Sequence, residues 1–152
     1  MKSLVPLSLL LLVLGHPCVS QTESATDAEP RQMLARWIQA FDNLDWDQFR
    51  EGFDDNATVF YPRAVPRRAD GRAPFEEHFR HVFAGIREEK SGPPYMDIQP
   101  RDLNIQMLGD VAIATFHLDD RPGFLNRRTI VLHNTPAGWK TVRLPASEVA
   151  TP

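Results

Sequence analysis

The run Phe53-Asp54-Asp55-Asn56-Ala57-Thr58-Val59-Phe60-Tyr61-Pro62 (FDDNATVFYP, residues 53–62) decides how the chain is read. Two carboxylates, Asp54 and Asp55, close an amphipathic helical segment, and the turn-prone Asn56 follows. The β-branched and aromatic residues Thr58-Val59-Phe60-Tyr61 then predict a strand. Pro62 stops it, having no amide to give to a ladder. A helix thus hands the chain to the first strand of a curved sheet.

Upstream, Met33, Leu34, Trp37, Ile38 and Phe41 recur at helical spacing across residues 31–43, a stripe that must be buried. Asp45 with Gln48 three positions on forms a capping-box pattern, opening a shorter helix with Trp46, Phe49 and Phe53 as its buried side. Residues 21–29 are polar and nearly free of apolar side chains, the composition of a flexible leader. The first twenty residues differ in kind. Lys2 makes a positive start, Leu4 to Leu14 is mostly apolar, Gly15-His16-Pro17 breaks the run, and small residues surround a cleavage point after Ser20. The pattern predicts a secretory signal peptide at 1–20, too short for a membrane anchor, which takes about 20 apolar residues.

Cleavage leaves 152 − 20 = 132 residues and changes the formal charge from −3 to −3 − 1 = −4. The only cysteine, Cys18, leaves with the signal. A secreted or periplasmic chain is then expected without disulfide, thiolate nucleophile or cysteine metal site, stabilised by its apolar core alone. So small and mixed a charge gives no ground for a nucleic-acid partner, nor for a membrane partner after signal cleavage.

Downstream, residues 63–71 hold Arg63, Pro66, Arg67 and Arg68 and read as loop. Phe75, Phe79, Val82, Phe83 and Ile86 mark a third helix over 73–88, ended by Ser91-Gly92-Pro93-Pro94. After Pro100 the period shortens to two: Leu103, Ile105 and Met107 alternate with polar residues. Turns at Gly109-Asp110, 119–123 and Pro136-Ala137-Gly138 separate strands at 111–118, 128–133 and 139–144. Helices followed by an antiparallel meander predict an α+β domain with its helices on one face of the sheet. The strand at 111–118 is apolar on both parities, and helices can cover only one face. A second copy on the other face, a homodimer, is the expected partner.

Four landmarks recur in a fixed order. They are Trp37…Phe41-Asp42…Asp45-Trp46-Asp47, Phe53 to Val59, Gly109-Asp110-Val111-Ala112, and Gly138-Trp139-Lys140-Thr141-Val142 running on to Ala146-Ser147. The set spans nearly all of a domain at 30–149. It resembles the NTF2-like superfamily, in particular its SnoaL-like branch and the association domain of calmodulin-dependent kinase. The resemblance implies an α+β cone, a strongly curved antiparallel sheet wrapped around three N-terminal helices, with a pocket inside for a small organic molecule and no cofactor. It also marks departures. The branch's W-x-x-V-H-x-H-x-S tail reads here Trp139, Val142, Arg143, Pro145, Ser147, without either histidine. Where ketosteroid isomerases of the superfamily keep a catalytic Asp, an oxyanion-stabilising Tyr and a second Asp, this chain has Tyr61, Trp37 and, near the last, Ile130. A phenol with an ordinary pKa near 10 is a poor base at neutral pH.

The ligand pocket is accordingly expected around Trp37, Tyr61, His117 and Arg143, with Arg143 favouring an anionic ligand. His117 is placed there by sharing the parity of Val111, Ile113 and Thr115. Three functions stay open: binding without catalysis, a cofactor-independent isomerase, cyclase or lyase using Tyr61 and His117, and a structural oligomerisation module. His78 and His81 have ligand-like spacing but no third ligand in reach by sequence, so no metal is expected.

Overall fold

The computed structural model describes residues 27–61 and 68–151, without the side chains of 119–121. The expected signal peptide, leader residues 21–26 and the arginines Arg63 and Arg67 lie outside the described residues. In chain order the elements are α1 (Ala28–Asp42), α2 (Trp46–Glu51), β1 (Phe53–Phe60), β2 (Arg68–Asp70), α3 (Arg72–Glu89), β3 (Arg101–Leu108), β4 (Val111–Arg121), β5 (Phe124–Thr135), β6 (Gly138–Leu144) and β7 (Ala146–Ala150). The sheet runs β2-β1-β6-β5-β4-β3, with β7 also paired to β5. It is the curved, unclosed sheet of an α+β cone, with the helices against its inner face.

Five elements, α1, α2, β1, β2 and β7, depart from the sequence reading. The helix before the opening run ends at Glu51, not at the aspartates, and β1 already starts at Phe53. Gly52 makes the turn between them, and Phe53 pairs in parallel with Thr141 of β6. A bulge then takes up the residues before Thr58, where Asp54 Oδ1 accepts the Asn56 amide at 2.9 Å. Asp54 thus keeps the local turn-capping chemistry of its residue type, inside a strand. Because β1 joins β6 in parallel, the sheet is mixed rather than wholly antiparallel. β2 falls in the expected loop: three residues are too few to show a period, yet Val59 pairs with Ala69 and Ala69 is buried. β7 follows Pro145, whose carbonyl accepts the Thr129 amide at 3.2 Å. At the other end α1 starts at Ala28, so the last leader residues are helical, and Glu29 accepts the Trp139 indole N–H at 3.1 Å.

The core forms where the helical stripes meet the inner face of the sheet. Phe49 on α2 is fully buried, its ring centroid 4.9 Å from Phe79, 5.1 Å from Phe83, and 5.4 Å from both Trp37 and Phe53. Opposite lie Ala112 and Ala114 of β4 with Ile130 and Leu132 of β5, all fully buried. The two alanines leave room for these rings. The capping box is in place, Asp45 Oδ1 accepting the Gln48 amide at 3.1 Å. Asp42, at the end of α1, ties down the segment before β3. Its backbone carbonyl accepts the amides of Tyr95 and Met96, and its carboxylate that of Ile98 at 3.1 Å. Burial raises the Asp42 carboxyl above its ordinary pKa, against the lowering effect of the Ile98 bond.

Candidate functional site

Between the helices and the inner sheet face lies a cavity of about 950 Å³, at the upper end of the size range of small-molecule sites. Its sheet wall is apolar: Val59, Phe116, Leu118, Ile130 and Leu144. α1 contributes Trp37, Ile38 and Phe41, and α3 contributes His78, Phe79, Val82 and Ile86. Its charged and amide lining residues are Lys90 after α3, Asp97 and Gln99 before β3, Arg101 at the start of β3 and Arg128 on β5.

Two aromatic donors in this wall have no acceptor. The Tyr61 hydroxyl and the Trp37 indole N–H are both buried without a hydrogen-bond partner among the described residues. A donor buried without an acceptor costs about 1–3 kcal/mol. The Tyr61 ring is 8% exposed and lies on His78, with centroids 3.7 Å apart and planes inclined at 34°. Burial pushes the Tyr61 pKa up to about 12. Burial, and secondarily the neighbouring His81, lowers that of His78. At neutral pH the pair is therefore a phenol beside a neutral imidazole.

The Tyr61 shift predicts a pH effect. The folded pKa exceeds the ordinary value of 10.0, so the folded state holds its proton more tightly than the unfolded state. The resulting stability is fully present below pH 10.0 and is lost as pH rises toward about 12. Denaturation curves across that window are expected to fall more steeply for the native chain than for Tyr61→Phe. Parallel slopes would contradict the shift.

Of the four residues expected at the pocket, Trp37 and Tyr61 line the cavity and His117 and Arg143 do not. On β4 the buried residues are Ala112, Ala114, Phe116 and Leu118, so the inner parity is even and His117 points to the other face. There its Nδ1 lies 3.1 Å from Asp102 Oδ2. Arg143 pairs with Thr58 and Val131 on that same outer face, exposed, its guanidinium 5.2 Å from the Phe60 ring centroid. The inward arginine is Arg128 instead, on the parity of Ile130 and Leu132 and opposite Phe116. That parity was available from the sequence, because the two apolar neighbours mark the core side of β5. His78 was read at the flank of the α3 stripe but not at the pocket, where its position one residue before Phe79 puts it. Tyr61, Trp37 and Ile130, the positions of the isomerase groups, all line the cavity, and none is a carboxylate.

A second, polar hollow of about 540 Å³ lies by α2, lined by Asp47, Glu51, Asp54, Asp55, Arg72 and Lys140 among others. Two of its cations are engaged: Arg72 Nε donates to Asp55 at 2.6 Å, and Lys140 to the Glu51 backbone carbonyl at 2.6 Å. Among the described residues no group of three or more His, Cys, Asp or Glu is disposed to hold a metal ion.

Comparison with known proteins agrees with this architecture. An NTF2-like protein of unknown function from Pseudomonas putida superposes with a TM-score of 0.68 at 20% identity, over 81% of this chain and 86% of that one. The S. rosetta CaMKII hub superposes with a TM-score of 0.61 at 25% identity, over 80% of this chain and 95% of that one. A DUF3225-family protein of unknown function from Pectobacterium atrosepticum reaches 0.61 at 20% identity, over 81% and 90%. No curated protein matches significantly. The profile of the SnoaL-like domain matches residues 31–152, from the first turns of α1 through β7, and the chain belongs to that family.

Proposed function

We propose that this domain binds a small, predominantly apolar organic molecule in its cone, without catalysis. The observation that carries the reading is the cavity of about 950 Å³ with its largely apolar wall. Such a site suits a hydrophobic body bearing a carbonyl or hydroxyl oxygen. Isomerase-type chemistry fits less well: the carboxylate positions hold Tyr61, Trp37 and Ile130, and Tyr61 is held protonated. The cavity is lined by Tyr61 and not by His117, which speaks against their acting as a pair.

The test is thermal unfolding of the purified protein against a panel of neutral aromatic and alicyclic ketones and alcohols. A ligand at 100 times its dissociation constant adds about 2.7 kcal/mol. Val82→Trp, which fills the cavity from α3, is expected to abolish the shift. A shift of full size in that variant would place the ligand elsewhere and sink the reading.

Two further proposals belong to the same picture. Val111, Ile113 and Val131 share the outer sheet face and are only half-buried, which favours a homodimer through that face. The apolar N-terminal segment favours export after cleavage behind Ser20. Sedimentation and N-terminal sequencing of the secreted product test these in turn.

A further inference from the structure

The polar side chains around the cavity are not equally open to a ligand. The Lys90 ammonium lies 3.1 Å from the Met96 thioether, Gln99 donates to Asp97, and Arg128 donates to Asn126. Arg101 has interactions of its own. The Tyr61 hydroxyl and the Trp37 indole N–H are enclosed by protein atoms. His78 differs from all of these. It lines the cavity, is only half-buried, and has no hydrogen bond to either ring nitrogen among the described residues.

What surrounds the imidazole is apolar. The Tyr61 ring lies on it at 3.7 Å, Phe79 stands edge-on at 5.6 Å, and Val82, another lining residue, is one helical turn further along α3. The titratable groups against it are the Tyr61 phenol from β1 and His81 from α3, whose Nδ1 lies 2.7 Å from the Glu77 carbonyl of its own helix. Burial, and after it His81, disfavours the charged form, so at neutral pH the ring keeps one N–H and one accepting nitrogen. The N–H can serve any oxygen. The accepting nitrogen serves only a group that brings a proton, a hydroxyl and not an ether or a ketone.

We propose that His78 selects the ligand by accepting a hydrogen bond from its hydroxyl group, so that the cone holds an apolar alcohol or phenol in preference to the ether or ketone of the same skeleton. The proposal rests on the cavity being a binding site, and adds which oxygen class it takes and which residue chooses.

2-Naphthol and 2-methoxynaphthalene share one body and differ in the O–H, and equilibrium dialysis against the purified protein gives both dissociation constants. His78→Phe keeps a ring on Tyr61 but has no nitrogen. The ratio of the ether's constant to the naphthol's is expected to be about fivefold larger in the native chain than in that variant, the size of one net hydrogen bond. Comparing ratios cancels the greater apolarity of the ether. His81→Gln should leave the native ratio in place. Should His78→Phe fail to fold, acid gives the same reading in the native chain, because a protonated imidazole has two donors and no acceptor. The ratio should then fall about fivefold as His78 titrates. If the naphthalenes do not bind but an alcohol of the first panel does, that alcohol and its methyl ether take their place. A ratio unchanged in His78→Phe or, where that variant does not fold, unchanged in acid overturns the proposal and leaves the cavity reading intact. Binding of panel ketones without any alcohol or phenol overturns it too. If nothing binds in either experiment, both readings fall.

Discussion

Phe49→Ala is expected to cost about 3–5 kcal/mol of stability, the range for removing a fully buried aromatic. Phe49 is 0% exposed and is the ring through which the three helices meet. It touches Trp37 and Phe41 on α1, Trp46 beside it on α2, and Phe75, Phe79 and Phe83 on α3. Removing it leaves a void bounded by rings from three helices and from Phe53 of β1, none of which can move in without leaving its own contacts. Against a total of about 5–15 kcal/mol the loss is large, and Tm should fall on the order of 10 °C. Urea denaturation measures it directly. Leu108→Ala, at a side chain 60% exposed, should stay within about 0.5 kcal/mol. Similar losses for both variants would mean that the aromatic cluster is not the centre of the core.

The second large effect is expected at Gly52. Its φ of −66° suits any residue, so on backbone grounds alone Gly52→Ala should stabilise by about 0.4–1 kcal/mol. Packing reverses the sign. A methyl there would lie 2.6 Å from Trp37 Cδ1 and 3.3 Å from the Phe49 carbonyl. The indole cannot swing aside cheaply, being stacked on Phe49 and edge-on to Phe53. Overpacking of this kind costs about 1–3 kcal/mol. Trp37 is also cavity wall, so the same substitution should change its fluorescence and weaken any ligand held there. Net stabilisation with unchanged fluorescence would refute the clash.

What the sequence revealed, and what it withheld, follows from the range of the interactions. The stripe from Met33 to Phe41, the Asp45 cap and the Phe75-to-Ile86 helix are set by neighbours three or four positions away, and their periods are plain. Turns at Gly109-Asp110 and 136–138 are equally local. The parallel pairing of β1 with β6 leaves no local mark, nor do the three residues of β2. The site suffered most from one ambiguity. Val111 to Leu118 is apolar on both parities, so its inner face could not be chosen from the strand itself. Choosing wrongly carried His117 into the pocket; Arg143 was carried there by a family pattern, and both lie outside. Since strand side chains alternate with a period of two, a one-residue error moves a whole set to the other face. β5 leaned toward the answer, because Ile130 and Leu132 share one parity while Arg127, Thr129 and His133 share the other with Val131.

The pairing of Val59 with Leu144 also has a kinetic meaning. It joins positions 144 − 59 = 85 apart, whereas the β3–β4 and β4–β5 hairpins close over short turns. Non-local closure is slow, since its entropy must be lost before its contacts form. The meander should therefore assemble early and the β1–β6 seam late, after the rate-limiting step. The cavity wall crosses that seam, with Val59 and Tyr61 on one side and Leu144 and Ala146 on the other. A molecule in the cone grips contacts absent from the transition state, so it should lengthen the lifetime of the folded chain while leaving its rate of formation almost untouched.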